Sequence, residues 1–560
     1  MSDHAPVLLP RRIADAYVDA LIRLDPLTGS YLGDTASNSR LPDLSPAGQD
    51  AVAHLMRDTL DELTAAESAP GADDPAELRC GRLLRERLTS ELAVRDAGEG
   101  LRSVSNIHSP VHGIREAFSV MPTETESDWR AFESRFRALP AALAGYRSSL
   151  ALGLERGLPA GPRATGAFMR QLGIWIGSDP DWLGGLVQNA PSELRAVLED
   201  ALVPARAALT ELHAWMRDVY APAVAHAPDV VGRERYALLA RFFTGATLDL
   251  DEAYAYGWSE YHRLLGEMKA EAEKILPGST PWEALSYADE HGEVLEGVET
   301  TRVWLQNLMD EAIEQLDGEH FDLAPALRVI ESRIAPPGSS AAPFYTAPSE
   351  DFSRPGRTWL PTLGSTRFPT HQLVSTWYHE GVPGHHLQLA QWVHVSDRLS
   401  RYQATIGQVD ANAEGWALYA ERLMDELGYL TRPERRLGYL DAQMMRACRV
   451  IIDIGMHLEL EIPADSPFAP GLRWTPDRAE QFFAAHSGKG REFVESELTR
   501  YLCMAGQAIG YKLGERAWLR GREAARAAHG AGFDMKAWHM AALSQGSLGL
   551  DDLVAELSKL

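Results

Sequence analysis

The chain runs to 560 residues with a formal net charge of −25, and 45% of it is hydrophobic and 24% charged. That length can bury a large core, and the composition is ordinary for a globular protein. The charge argues against the basic surface that nucleic acid or an anionic membrane demands. Cys80, Cys448 and Cys503 are too few and too scattered for a disulfide framework or a cysteine-based zinc site.

At the N-terminus, Val7-Leu8-Leu9 is too short for the core of a signal peptide, and no apolar run of about 18 residues occurs anywhere. The expected compartment is therefore the cytoplasm, with neither a membrane nor a nucleic-acid partner. Apolar positions at helical spacing predict helices over 11–25, 46–67, 74–97, 126–157, 191–219, 233–244, 251–274 and 299–317. Asp25-Pro26-Leu27-Thr28-Gly29 reads as the start of a turn-rich link running to Asp34. His108 and His112 are spaced i,i+4, but Pro110 lies between them and no acidic residue adjoins either. They read as structural, in a loop or at a helix start.

The character changes at 334–368, a stretch rich in Pro, Ser and Thr. Residues 342–348 and Arg357-Thr358-Trp359-Leu360 read as short extended pieces around a turn at Ser353-Arg354-Pro355-Gly356. Such a strand pair could offer an edge to a peptide backbone. Arg354 is the residue here suited to grip a substrate carboxylate, since arginine binds carboxylates bidentately. The division drawn on this basis is 1–333, a helical region on one side of a cleft, and 334–560, the catalytic region, within one continuous fold.

A helix start is expected at Pro369-Thr370, leading into His379-Glu380-Gly381-Val382-Pro383-Gly384-His385-His386. Two histidines and an adjacent glutamate on one helix are what a hydrolytic zinc site needs: imidazoles for the metal and a carboxylate for the proton of the attacking water. The spacing breaks the usual rule. The i+4 position from His379 is Pro383, and His386 at i+7 would lie about 10 Å along an ideal helix axis, too far for one ion. Pro383-Gly384 supplies a distortion that would bring His385 to where i+4 would have been. The expected ligands are thus His379 and His385, with Glu380 as general base and His386 as the alternate ligand or a supporting donor.

Helices follow over 408–428, 433–462, 475–486, 490–527 and 533–558. In the first, Glu414 and Glu421 share a face otherwise built of Trp, Ala, Leu and Tyr. Glu414 is the expected third ligand, because Gly415 beside it admits another chain closely. In the second, Arg446, Arg449, Asp453 and His457 fall on one face, where Asp453 could orient His457 toward a substrate oxygen. The fourth should break at Ala505-Gly506, and Tyr501 or Tyr511 beside the break could donate an O–H to a tetrahedral intermediate.

Taken together these residues resemble one bacterial family, that of domain of unknown function 885. The resemblance rests on Asp25-Pro26…Leu32-Gly33-Asp34, Tyr345…Pro348…Ser353-Arg354-Pro355-Gly356, and His379-Glu380…Pro383-Gly384-His385-His386-Leu387-Gln388. It continues through Glu414-Gly415-Trp416-Ala417-Leu418-Tyr419-Ala420-Glu421, Asp453…His457 and Gly506-Gln507-Ala508…Tyr511. It implies a mainly α, metallopeptidase-like fold of the gluzincin type, with a cleft and a small β element before the metal-binding helix. It also implies one zinc held by His379, His385 and Glu414, Glu380 as base, and Tyr345, Gln388 and Arg449 beside Arg354 in substrate binding. Phe352 stands where the family usually has glycine, and Ala505 where it usually has proline. The expected activity is zinc-dependent cleavage of an amide bond in short peptides. The alternatives are an amidase of small-molecule metabolism, or an inactive metal- or peptide-binding protein.

Overall fold

The computed structural model describes residues 8–335 and 342–560. The first residues of the N-terminus and the Pro336-Pro337-Gly338 start of the Pro-rich segment lie outside the described residues. The chain divides into two compact units, Met1–Leu238 with Glu495–Ala505, and Leu239–Val494 with Gly506–Leu560. The division falls at Leu238/Leu239 rather than at 333/334, because the helices between those points pack into the second unit. Among the described residues no helix is long and apolar enough to cross a membrane.

The first unit is helical throughout. Its two longest helices, Glu126–Glu155 and Ser192–Trp215, pack along each other over a core that includes Phe118, Trp129, Phe132, Phe136, Phe168 and Trp175. The supposed link after the first helix is itself short helix: Asp25 caps Pro26–Tyr31, and Asp34 caps a 3₁₀ turn at Thr35–Ser39. Both Asp residues accept backbone N–H groups at a helix start, so the same polar residues that read as a turn act as caps. His112 lies in the first turn of Pro110–Ser119, buried, with its Nδ1 2.8 Å from the Oγ of the capping Ser109, in keeping with a structural role.

In the second unit Leu250–Ile275 lies along Pro433–His457, and Asp410–Glu426 along Gly510–His529. The latter pair closes at glycine on glycine: a Cβ on Gly415 would sit 2.4 Å from the Cα of Gly514. The expected strand pair forms, Phe344–Thr346 antiparallel to Gly356–Leu360. It belongs to a three-stranded sheet whose third strand, Ile330–Ile334, runs parallel to Gly356–Leu360 and was not read from the sequence. Residues on Gly356–Leu360 alternate between buried and half-buried, the period-two pattern of a strand with one face covered.

Three helix predictions change in the structure. The region 433–462 ends at His457, and 533–558 is two helices, Met535–Leu543 and Leu550–Leu557, parted around Gly546 at φ +76°. Pro369 closes a strand rather than opening a helix, and Thr370 is held by Glu293 instead of acting as a cap.

Candidate metal centre

The expected distortion at Pro383-Gly384 is a full break. One helix, Val374–Glu380, stops at Gly381, and a second, His385–His394, starts after a cis Val382–Pro383 bond. Gly384 is required there: a Cβ would lie 1.9 Å from the carbonyl oxygen of His379 and 2.4 Å from that of Tyr378. A break exposes backbone carbonyls that need donors. The indole N–H of Trp416 donates to Pro383 O at 2.9 Å and also to Gly384 O at 3.1 Å, which accepts the Gln388 N–H as well. The first helix is fixed from its other side by Trp377, whose indole donates to Ser332 Oγ on the sheet at 3.0 Å.

With the helix broken in this way, His379 and His385 meet edge to face, ring centroids 4.8 Å apart. Glu414 reaches both: its Oε2 lies 3.3 Å from His379 Nε2 and 3.6 Å from His385 Nε2. One ligand atom from each of the three residues falls within 4.8 Å of the other two. Donors about 2.1 Å from a tetrahedral ion lie about 3.4 Å apart, which the two separations from Glu414 match, while the upper bound of 4.8 Å across the three is wider. Glu414 Oε2 is buried against the two imidazole nitrogens, and His385 Nδ1 is buried without a hydrogen-bond partner. A buried carboxylate needs a cationic partner, and two imidazoles with one carboxylate form a borderline donor set suited to zinc. Glu414 and His385 keep 19% and 12% of their side-chain surface accessible, so the cluster can be reached from outside.

Behind the ligands stands a carboxylate whose role the sequence left open. Glu421 Oε1 lies 2.8 Å from His379 Nδ1, and Glu421 Oε2 accepts from Ser375 Oγ. Arg446 Nη2 is 4.0 Å from Glu421 Oε1. A carboxylate only accepts, so Nδ1 carries a proton for Glu421, while Nε2 faces Glu414. Burial opposes the charge on Glu421, but the His379 hydrogen bond and the Arg446 charge hold its pKa below the usual value. Burial also opposes charge on His379, yet its bonds to Glu414 and Glu421 raise its pKa to about 10. Burial raises that of Glu380, the last residue of the first helix, against the pull of His379 and His385.

His386 is not in this cluster. Its Nε2 lies 2.9 Å from Leu327 O and its Nδ1 2.9 Å from Tyr345 OH. The carbonyl takes the Nε2 proton, so the Tyr345 hydroxyl donates to Nδ1, and both ring nitrogens are spent on the protein. Burial lowers its pKa to about 4. Helical geometry explains the correction: a 100° step per residue turns adjacent side chains to different faces.

The other expected residues are placed as follows. The Tyr345 hydroxyl is engaged by His386. Gln388 is buried and donates to Asn412 Oδ1 at 3.1 Å, tying the second histidine helix to the helix of Glu414. Arg354 is exposed on the turn before Gly356, where its backbone N–H donates to Ser349 Oγ. Arg449 stacks over the ring of Tyr511, 4.8 Å from its centroid, and Arg446, one turn earlier, is the arginine that reaches the cluster. His457 and Asp453 are fully buried with His457 Nε2 3.7 Å from Asp453 Oδ1, and Asp453 Oδ2 accepts the Gly506 N–H at 2.9 Å. The Tyr501 hydroxyl donates to Glu497 at 2.7 Å, within the first unit. Sequence reasoning named Glu421 and Arg446 without their contacts to His379 and to each other, and gave no part to the side chains of Ser375 and Trp416. The usable signal was spacing: Ser375 lies four residues before His379, and Glu421 seven after Glu414.

The family described as "Bacterial protein of unknown function (DUF885)" matches residues 26–557. Among solved structures, a candidate lipoprotein from Colwellia psychrerythraea superposes with a TM-score of 0.85 at 20% identity, over 98% of each chain. A candidate lipoprotein of unknown function from Shewanella oneidensis superposes with a TM-score of 0.75 at 19% identity, over 98% of this chain and 100% of the other. These likenesses concern the fold. No curated protein matches the chain.

Proposed function

We propose that this chain, which belongs to the DUF885 family, is a zinc-dependent hydrolase of amide bonds, acting as a peptidase or carboxypeptidase on short peptides. The observation that carries the reading is the convergence of His379, His385 and Glu414 within 4.8 Å, next in sequence to the buried Glu380. His379, His385 and Glu414 would hold the ion. Zinc bound there supplies Lewis acidity to a carbonyl oxygen and draws the pKa of a water toward about 7. Glu380 takes the proton of the attacking water and returns it to the leaving nitrogen, and its burial strengthens it as a base. Tyr511 is assigned the negative charge that develops on the substrate oxygen, and His457, fully buried beside Asp453, drops out of that assignment. Tyr501 drops out of that assignment because Glu497 holds its hydroxyl.

The test is metal analysis of the purified protein beside His385→Ala and His386→Ala. One zinc per chain is expected in the wild type and in His386→Ala, and none in His385→Ala. Equal loss in both variants, or in neither, refutes the ligand set. Turnover on a dipeptide and tripeptide library against acyl amides then separates peptidase from amidase. For the compartment, the cytoplasm remains the proposal. The lipoprotein names of the two structural neighbours favour attachment to the cell envelope as the alternative, and fractionation of the native host decides between them.

A further inference from the structure

The ligand cluster accounts for Glu414 but not for a second carboxylate on the same helix. Glu421 is only 1% exposed, and a charge so buried needs a reason. Its two oxygens are both committed, Oε1 to the His379 Nδ1–H at 2.8 Å and Oε2 to the Ser375 hydroxyl. Ser375 and His379 lie four residues apart, so one helical turn presents donors to both oxygens. The arginine beside it, Arg446, stands at 4.0 Å, beyond hydrogen-bond length, and its Nη1 is spent on the Ala442 carbonyl of its own helix at 3.1 Å. Glu421 thus bears directly on His379, with Arg446 acting only at a distance.

We infer that Glu421 is a positioning residue for the metal centre. It holds the Nδ1–H of His379 and fixes the orientation of its ring, while Arg446 moderates that charge and Ser375 holds the other carboxylate oxygen. The inference rests on the metal reading proposed above. A carboxylate behind a ligating histidine typically changes metal affinity 10- to 100-fold. Arg446 acts with the opposite sign, because a cation near the site repels a second one.

The test is zinc affinity, measured by competition with a chromophoric chelator, for the wild type, Glu421→Gln, Ser375→Ala and Arg446→Gln, with circular dichroism to check folding. Glu421→Gln keeps an acceptor oxygen and removes the charge, so its zinc Kd should rise about 10- to 100-fold. Ser375→Ala should raise it less, and supplies the readout if Glu421→Gln fails to fold. Arg446→Gln should leave the Kd unchanged or lower it. A zinc Kd for folded Glu421→Gln within about threefold of wild type overturns the inference, as does equal weakening by all three variants, the signature of loosened packing. A wild type that takes up no zinc overturns the metal reading and this inference with it.

Discussion

Trp416→Phe isolates the device that holds the histidine break together. Phenylalanine keeps most of the aromatic bulk and removes the N–H that serves Pro383 O and Gly384 O. Trp416 is fully buried, so water cannot readily replace that donor; Gly384 O keeps the Gln388 N–H, so the loss falls on Pro383 O, and a buried acceptor left without a partner costs about 1–3 kcal/mol. Those carbonyls belong to the link that sets His385 against His379, so the cost falls on the conformation that assembles the ligands. If the break relaxes in the metal-free protein, zinc affinity drops by the same energy, about 5- to 150-fold. The control is Trp518→Phe. Its indole also donates to a backbone carbonyl, that of Asn412 at 3.2 Å, on the helix of Glu414 but not at the break. Both variants should unfold at lower urea concentration than wild type, and only Trp416→Phe should bind zinc more weakly in chelator competition. Zinc affinity at the wild-type level in Trp416→Phe, or equal loss in both, would show that the break is held by its own backbone and the argument is wrong.

Other outcomes follow from the same structure. Glu380→Gln should retain one zinc and lose turnover on the best peptide substrate by about 10²- to 10⁴-fold, and unchanged kcat would remove Glu380 as the base. Phe352 occupies the left-handed region at φ +56°, a conformation that costs a non-glycine residue about 1–2 kcal/mol. Phe352→Gly should therefore raise the urea midpoint, offset in part by glycine's greater freedom when unfolded, and a lower midpoint refutes the strain. Burial lowers the pKa of His112 to about 4 and that of His539 to about 3, against about 6.5 when unfolded. The unfolded chain then takes up protons first as pH falls, so the stabilisation is complete above pH 6.5 and is lost on acidification, down to about pH 4 for His112. The full loss from His112 is roughly 3 kcal/mol. The wild-type midpoint should fall between pH 7 and 5, His112→Gln should flatten that slope, and a slope unchanged by the substitution assigns the effect elsewhere.

The long helices were legible because their apolar positions repeat with the helical period and their starts carry capping residues. Glu126–Glu155, with Thr125 as its cap, and Leu250–Ile275, with Asp249, were read to within a residue or two of their ends. What was not legible turned on contacts far along the chain. Ile330–Ile334 becomes a strand because Gly356–Leu360 pairs with it in parallel, and a five-residue segment carries too little pattern to announce that by itself. Asp25 and Asp34 read as turn residues because the same side chains close turns and cap helices, and only the backbone that follows tells the two apart.

The site shows the same division more sharply. Proline at i+4 and glycine after it excluded an unbroken helix, and that local fact was enough to prefer His385. Rejecting His386 required knowing that Leu327 O and Tyr345 OH would meet its two nitrogens, and both partners lie dozens of residues upstream. Choosing Glu414 as the ligand rested on Gly415. The glycine does admit a close neighbour, but that neighbour is Gly514 on another helix rather than the histidine segment. The seven-residue spacing of Glu414 and Glu421 carried more than was drawn from it. Two turns put both carboxylates on one face, and a single imidazole spans them, with Nε2 facing one and Nδ1 the other. A pair of buried acids at that spacing, opposite a histidine, is therefore better read as ligand and orienter together than as two candidates for one position.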